Sequence, residues 1–393
     1  MLGAIAHPWD LSDEGAFTVC NNLRAMGFDT LLVQVKSFWA RHPPSGDLPH
    51  NPERSEVISD ARVYLDVDVK TYKKIKPVTA SEVIRQAAEA AREADLKLYI
   101  FLNTLIDDSV VERYPGVAMV DAHGQRSNCW LCPNQPDARV YTKNLLGDAL
   151  RLGVDGIIVS KAQYPPGCHY CFCDRCRAMG EKEGIDLGEV RLWLDHQDKG
   201  EGLNVGPIDP LIGYERGLPE SVGQWLQWRR ERITDYLMEV YELAKGRTRV
   251  GVCMQAPRSA WSVGQSYPDA EKFCDFVSPM FYLGLWKRHA LESFGSRRLK
   301  DEHLKSWYRL QQYDGPPTIR EFRLQGVDPS VVAQQLAIID DLGLEAVSSF
   351  MIWDLPEEEI LRVMDLNGEH GAIIDCYGWT PFQKMLAVGA HKK

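Results

Sequence analysis

Six of the ten cysteines fall between residues 129 and 176. Cys168, Cys171, Cys173 and Cys176 form one dense run, and Cys129-Trp-Leu-Cys132 lies upstream. Four thiolates drawn from two such loops make a closed tetrahedral site, the structural kind. Clustered cysteines without a secretory leader argue for metal rather than disulfides. The expected ligands of a structural zinc are Cys132, Cys171, Cys173 and Cys176. Cys129, Cys168 and His169 stand in reserve, and free or disulfide-bonded cysteines are the plainer reading. Cys20, Cys253, Cys274 and Cys376 read as ordinary buried residues.

A second group of residues could act on a small molecule. Glu321 lies in the strand-like run TIREFR, between Arg320 and Arg323. A carboxylate held there suits a nucleophile or general base, and a salt bridge to either arginine is the plainer role. Asp354 is a further carboxylate, with capping of the helix that begins near Pro356 as its alternative. Lys36 and Lys161 could bind a substrate carboxylate or sulfate. Lys161 could form a Schiff base if its pKa were depressed. Trp9, Trp39 and Trp353 are among 11 tryptophans, several of them in loop positions, where rings stack on sugars or simply pack. His7, Gln34, Asn103, Gln163, Gln255 and Tyr282 add hydrogen-bonding groups.

These residues need a frame. Short apolar runs alternate with helical stretches: 2–7, 29–36, 97–103, 155–160, 248–254, 275–282, 317–323 and 345–353. Continuous apolar strands are those covered on both faces. Eight such units predict a (β/α)8 TIM barrel. No glycine-rich turn follows the first strand to favour a doubly wound sheet. A typical barrel takes about 250 residues. The excess falls in segments 37–79, 104–136 and 161–221, long βα loops on the C-terminal face where barrels keep their sites. The predicted organisation is a barrel over 1–366, with a Cys-rich insertion at 161–221 after strand four, and a C-terminal appendage at 367–393.

Composition narrows the partners. The net charge is −10 and no Lys/Arg stripe stands out, which argues against nucleic acid. No run of 18 apolar residues exists to span a membrane. The opening MLGAIAHPWDLSDE does not read as a signal peptide, so a cytoplasmic protein is expected.

The run CHYCFCDRCRAMGEKEGID resembles the zinc-cluster β-galactosidases of glycoside hydrolase family 42. The stretch LCPNQPDARVYTKNLLGDALRLGVDGI is similar to uncharacterised barrel glycosidase-like proteins. The resemblance covers about residues 129–180. It implies a clan with a Glu acid/base ending strand four and a Glu nucleophile ending strand seven. Glu321 would take the second place, supported by Tyr282 and Trp353. At the first place this sequence has Ser160-Lys161, so the general acid is missing there. A retaining mechanism needs two carboxyls about 5 Å apart. The expected function is therefore glycoside hydrolysis of a small or oligomeric carbohydrate, with Asp354, a loop carboxylate or the substrate itself replacing the acid. The alternatives are a catalytically degenerate sugar-binding barrel and a Schiff-base lyase or aldolase using Lys161. The resemblance also implies a possible homo-oligomer.

Overall fold

The computed structural model describes residues 1–35, 56–57, 78–166, 168–198, 218–295, 301, 304–305, 308 and 315–392. Most of segments 37–79 and 199–217 lies outside them, as do Lys36, Trp39 and the side chain of Trp9.

Eight parallel strands close on themselves: β1 (Leu2–Ala6), β2 (Thr30–Val35), β3 (Lys97–Asn103), β4 (Gly156–Ser160), β5 (Arg249–Gln255), β6 (Phe276–Phe281), β7 (Val347–Met351) and β8 (Gly371–Asp375). β8 pairs with β1 through Ile373 opposite Gly3 and Asp375 opposite Ile5, which seals the barrel. The (β/α)8 barrel expected from the alternation is therefore present.

Period-two alternation sorts the apolar side chains into two cores. Ile5, Leu32, Tyr99, Phe101, Ile158, Cys253, Phe276, Met280, Val347 and Ile373 fill the barrel interior. Their neighbours Ala4, Leu31, Val33, Ile100, Ile157, Val252 and Ile374 face outward under the helices. Inward glycines admit the large rings: a Cβ on Gly156 would lie 2.0 Å from the Tyr99 ring. Overpacking of this kind costs about 1–3 kcal/mol or more. Gly156→Ala is expected to lower the unfolding free energy by that amount, and an unchanged denaturant midpoint would show that the ring can yield.

The N-terminal face is closed by carboxylates. Asp29, Asp155 and Asp275 each immediately precede or lead into an even-numbered strand. They accept the backbone N–H of Leu2, Leu98 and Val250 at 3.0, 2.8 and 2.7 Å. Stability is thereby concentrated on the face opposite the long loops.

Two expectations are corrected. Segment 317–323 is not a strand. Ile319–Gln325 is a helix, because Thr318 and Glu321 make a reciprocal cap: Glu321 N donates to Thr318 Oγ1 at 3.2 Å, and that hydroxyl donates to Glu321 Oε2 at 3.0 Å. The run 345–353 consequently supplies strand seven. Strand eight is Gly371–Asp375, so the barrel takes in residues that were expected to form an appendage after 366. The helix Phe382–His391 follows it, and buries Met385 and Val388.

Candidate functional site

The inward parity that fills the barrel continues to its C-terminal mouth. One step beyond the apolar interior it brings up His7, Gln34, Asn103, Ser160, Gln255, Tyr282 and Asp375. His7, Gln34, Asn103, Ser160 and Tyr282 are buried, while Gln255 and Asp375 are part-exposed. Asp375 was not foreseen as a site residue. The signal was present: GAIID is a short apolar run ending in a carboxylate.

Asp375 is the centre of this ring. Burial pushes its carboxyl up, against the opposing pull of His7, of a hydrogen bond with Tyr282 and of Lys161; the net shift is upward. Burial likewise pushes the Tyr282 hydroxyl well above its ordinary value, aided by the Asp375 charge. Lys161 is shifted the other way. Burial lowers its ammonium, while Cys253 and Asp375 support the charge, and the net shift is downward. The two shifts run in opposite directions, an acid moved up and an amine moved down, with each charge acting on the other.

Strand parity alone would turn Lys161 outward, since Ser160 faces in. The backbone at Lys161 is left-handed, with φ +58°. Non-glycine residues pay roughly 1–2 kcal/mol for that conformation. The charges of the inward groups Cys253 and Asp375 act on the Lys161 amine.

The other expected site residues divide. His7 ends β1 and stacks on Trp379 with ring centroids 5.7 Å apart. Asn103 ends β3 within the mouth, and Gln163 is buried just after Lys161. Trp353 follows β7, with the Arg288 guanidinium 5.7 Å from its ring. Asp354 is not in the mouth ring. It packs against Gly284 and pairs with Arg288 at 3.5 Å, beside a groove of about 570 Å³ between the helices Leu283–Gly295 and Ile319–Gln325. It does not cap the following helix, whose N-cap is Pro356. Burial raises its carboxyl, opposed by a backbone hydrogen bond and then by Arg288. Glu321, on the short capped helix, is a helix-start residue rather than a strand-seven carboxylate.

The cysteine cluster forms as expected. The sulfurs of Cys132, Cys171, Cys173 and Cys176 all lie within 4.8 Å of one another and are buried. Backbone pairing brings the two loops together. An antiparallel hairpin, Ala118–Val120 with Arg126–Leu131, precedes Cys132. Phe172 N donates to Val120 O at 2.7 Å, and Cys132 N to Val117 O at 2.8 Å. Cys173 is the N-cap of the helix Asp174–Lys182, where the helix dipole favours a thiolate. Hydrogen bonds from Cys132, Cys171 and Cys176 lower the Cys173 thiol, whereas burial pushes Cys132 well up. Asn134 Nδ2 reaches Cys176 Sγ at 3.2 Å. Cys168 lies apart, donating to Ser262 O at 3.4 Å.

The donor set fits a metal ion, and a neighbouring charge agrees. Arg229 is fully buried between Tyr164 and Trp225, 4.6 and 4.7 Å from the ring centroids. It donates to Ser262 O at 3.1 Å, yet no carboxylate among the described residues pairs with it, and its Nε and Nη1 have no partner. A buried cation needs compensation. Four thiolates around a dication carry a net charge of about −2. Tyr164, against the Arg229 guanidinium, also feels the charges of Cys176, Cys132 and Cys171. Lys161 opens the same βα segment that carries Cys171, Cys173 and Cys176.

No protein-family model and no curated protein matches this chain. Solved structures do resemble it. The catalytic domain of a β-amylase from Paenibacillus polymyxa aligns with a TM-score of 0.58 at 12% identity, over 99% of this chain and 97% of that one. α-L-Fucosidase isoenzyme 2 from Paenibacillus thiaminolyticus aligns with a TM-score of 0.52 at 12% identity, over 100% of this chain and 49% of that one. At such identity the likeness is one of fold: this chain has the TIM-barrel architecture on which those glycoside hydrolases are built.

Proposed function

We propose that this chain binds a carbohydrate at the C-terminal mouth of its barrel and cleaves a glycosidic bond there, with Asp375 as the acid. The observation that carries this reading is a carboxyl ending β8 within the mouth ring that also holds Tyr282, pushed up by burial and acted on by His7 and Lys161. An upward shift suits a group that donates a proton to a leaving sugar oxygen. Glu321 caps a helix outside the ring, so the strand-seven nucleophile expected there is not supplied by it. A group on the substrate, or a loop carboxylate, completes the displacement that a second carboxyl performs elsewhere. Lys161 offers a cation to an acidic sugar such as a uronate. His7, Asn103, Gln163 and Tyr282 supply hydrogen bonds, and Trp353 a wall. The four-cysteine centre is read as structural zinc, because a closed thiolate set leaves no open position.

The test is a turnover screen of the metal-loaded protein on aryl glycosides and oligosaccharides, uronates included, with Asp375→Asn alongside. Turnover that survives in the variant removes Asp375 from the mechanism. Thermal stabilisation by a sugar without product would instead favour a degenerate binding barrel.

A second reading rests on the lowered Lys161 ammonium beside Asp375. A neutral amine adds to a carbonyl, loses water and becomes an imine, with the carboxyl moving the proton. Borohydride with a reducing sugar should then add mass to the wild type and none to Lys161→Met; equal labelling of both excludes it. The Asp375 charge supports the ammonium, so its removal should lower Lys161 further. Amine-directed label near pH 8 is accordingly expected to react faster in Asp375→Asn than in the wild type. Equal rates would place the carboxylate out of electrical reach.

A further inference from the structure

We propose a second metal site, separate from the four cysteines, formed by His7, Asp10 and Cys376 at the seam where the barrel closes. The three donor atoms lie within 4.8 Å of one another and all three residues are buried. They come from the end of β1, the helix Pro8–Glu14 and the residue after β8, segments that meet only because β8 pairs with β1. Cys376 Sγ is 3.3 Å from His7 Nδ1, and that nitrogen is 3.8 Å from Asp10 Oδ2. Around a tetrahedral zinc, N and S ligands stand about 3.5 Å apart and N and O about 3.3 Å. The separations thus match a shared ion to within about half an ångström.

The surroundings hold the three donors in place. Trp379 N and Thr380 N donate to Cys376 O at 3.3 and 3.0 Å, and Tyr377 N donates to Ile5 O at 2.7 Å, which fixes the turn after β8 against β1. The Trp379 ring stacks on His7 and orients the imidazole. His7 N donates to Asp10 Oδ2 at 2.8 Å, which holds the carboxylate in place. A dication would neutralise a buried thiolate and carboxylate together. The mixed N, O and S donor set suits zinc, ferrous iron or cobalt rather than magnesium or calcium.

Three protein ligands leave a fourth position, the count of catalytic rather than structural sites. Asp375 precedes Cys376 and its carboxyl feels His7, so the ion would adjoin the mouth. When bound it would supply a Lewis acid for a water or a substrate oxygen. Only that last role rests on the carbohydrate reading; the site stands without it.

The test is a metal count. Metal-free protein is loaded with zinc or cobalt(II), freed of excess by gel filtration, and assayed for metal per chain. Two equivalents are expected in the wild type and one each in Cys376→Ser and His7→Gln. X-ray absorption of the wild-type zinc protein needs no variant: two occupied sites average about 2.5 sulfurs per metal, against four for the cysteine site alone. A single equivalent lost in Cys376→Ser would support this site and remove the other. No bound metal, a lone equivalent that survives Cys376→Ser, two equivalents in both variants, or a sulfur count of four overturns the proposal.

Discussion

Asp375→Asn is expected to reduce turnover by about 10²–10⁴-fold, the usual worth of a positioned general acid, while leaving sugar binding in place. The substitution keeps the shape of the side chain and a hydrogen-bonding group for Tyr282, so the mouth should not collapse. Among the described residues, it removes the one carboxylate that the inward parity of the barrel carries to this level. Stability should move in the opposite direction from activity. In the folded protein the Asp375 carboxyl holds its proton to higher pH than in the unfolded chain. Its contribution is therefore fully present below the ordinary carboxylate pKa, and is lost as pH rises through the raised value. Above that window the variant should be at least as stable as the wild type. Paired measurements of kcat and of the denaturant midpoint between pH 4 and 8 check both halves. A variant that is as active as the wild type, or one that loses stability most at high pH, contradicts the assignment.

The second large effect is expected at the cysteine centre. Cys173→Ser, or removal of metal from the wild type by a chelator, should destabilise the protein by ~5 kcal/mol or more, a fraction of the roughly 10–16 kcal/mol with which closed thiolate sites bind zinc. At about 2 °C per kcal/mol for a chain of this size, the melting temperature falls by ~10 °C. The cost is large because Arg229 would keep its buried charge while losing the anionic centre that offsets it. The damage should spread along the loops that the cluster ties: the hairpin Ala118–Leu131, the segment 161–173 and the helix Asp174–Lys182. Because that segment begins at Lys161, labelling of this lysine should change with metal removal. Limited proteolysis would report cleavage between residues 118 and 182. A melting curve and a cleavage pattern indifferent to chelation would mean that the four thiols fold as a metal-free cluster.

Among the described residues no helix is long and apolar enough to cross a membrane, as the absence of an 18-residue apolar run predicts. The same pattern reading located seven of the eight strands, because each is an apolar run that both cores must bury. It went astray at 317–323. There the apolar residues of TIREFR are as compatible with a strand as with a short helix, and the Thr318–Glu321 cap decides for the helix. That spacing, a Thr followed three residues later by a Glu, was readable as a helix start. The true eighth strand was passed over because GAIID is only five residues long and follows the last long helix.

The sequence by itself determined the class of fold and the four-cysteine cluster. Apolar periodicity is a local property, and the four preferred cysteines sit in two loops that neighbouring strands must place side by side. Only the tertiary structure decided which carboxylate stands in the mouth. Closure of β8 on β1 carries Asp375 into the mouth and sets Cys376 beside His7, 369 positions away in the chain. Lys161, left-handed just after β4, comes under the charges of Cys253 and Asp375 from two other strands. Such contacts are products of barrel closure, which no short window of sequence encodes.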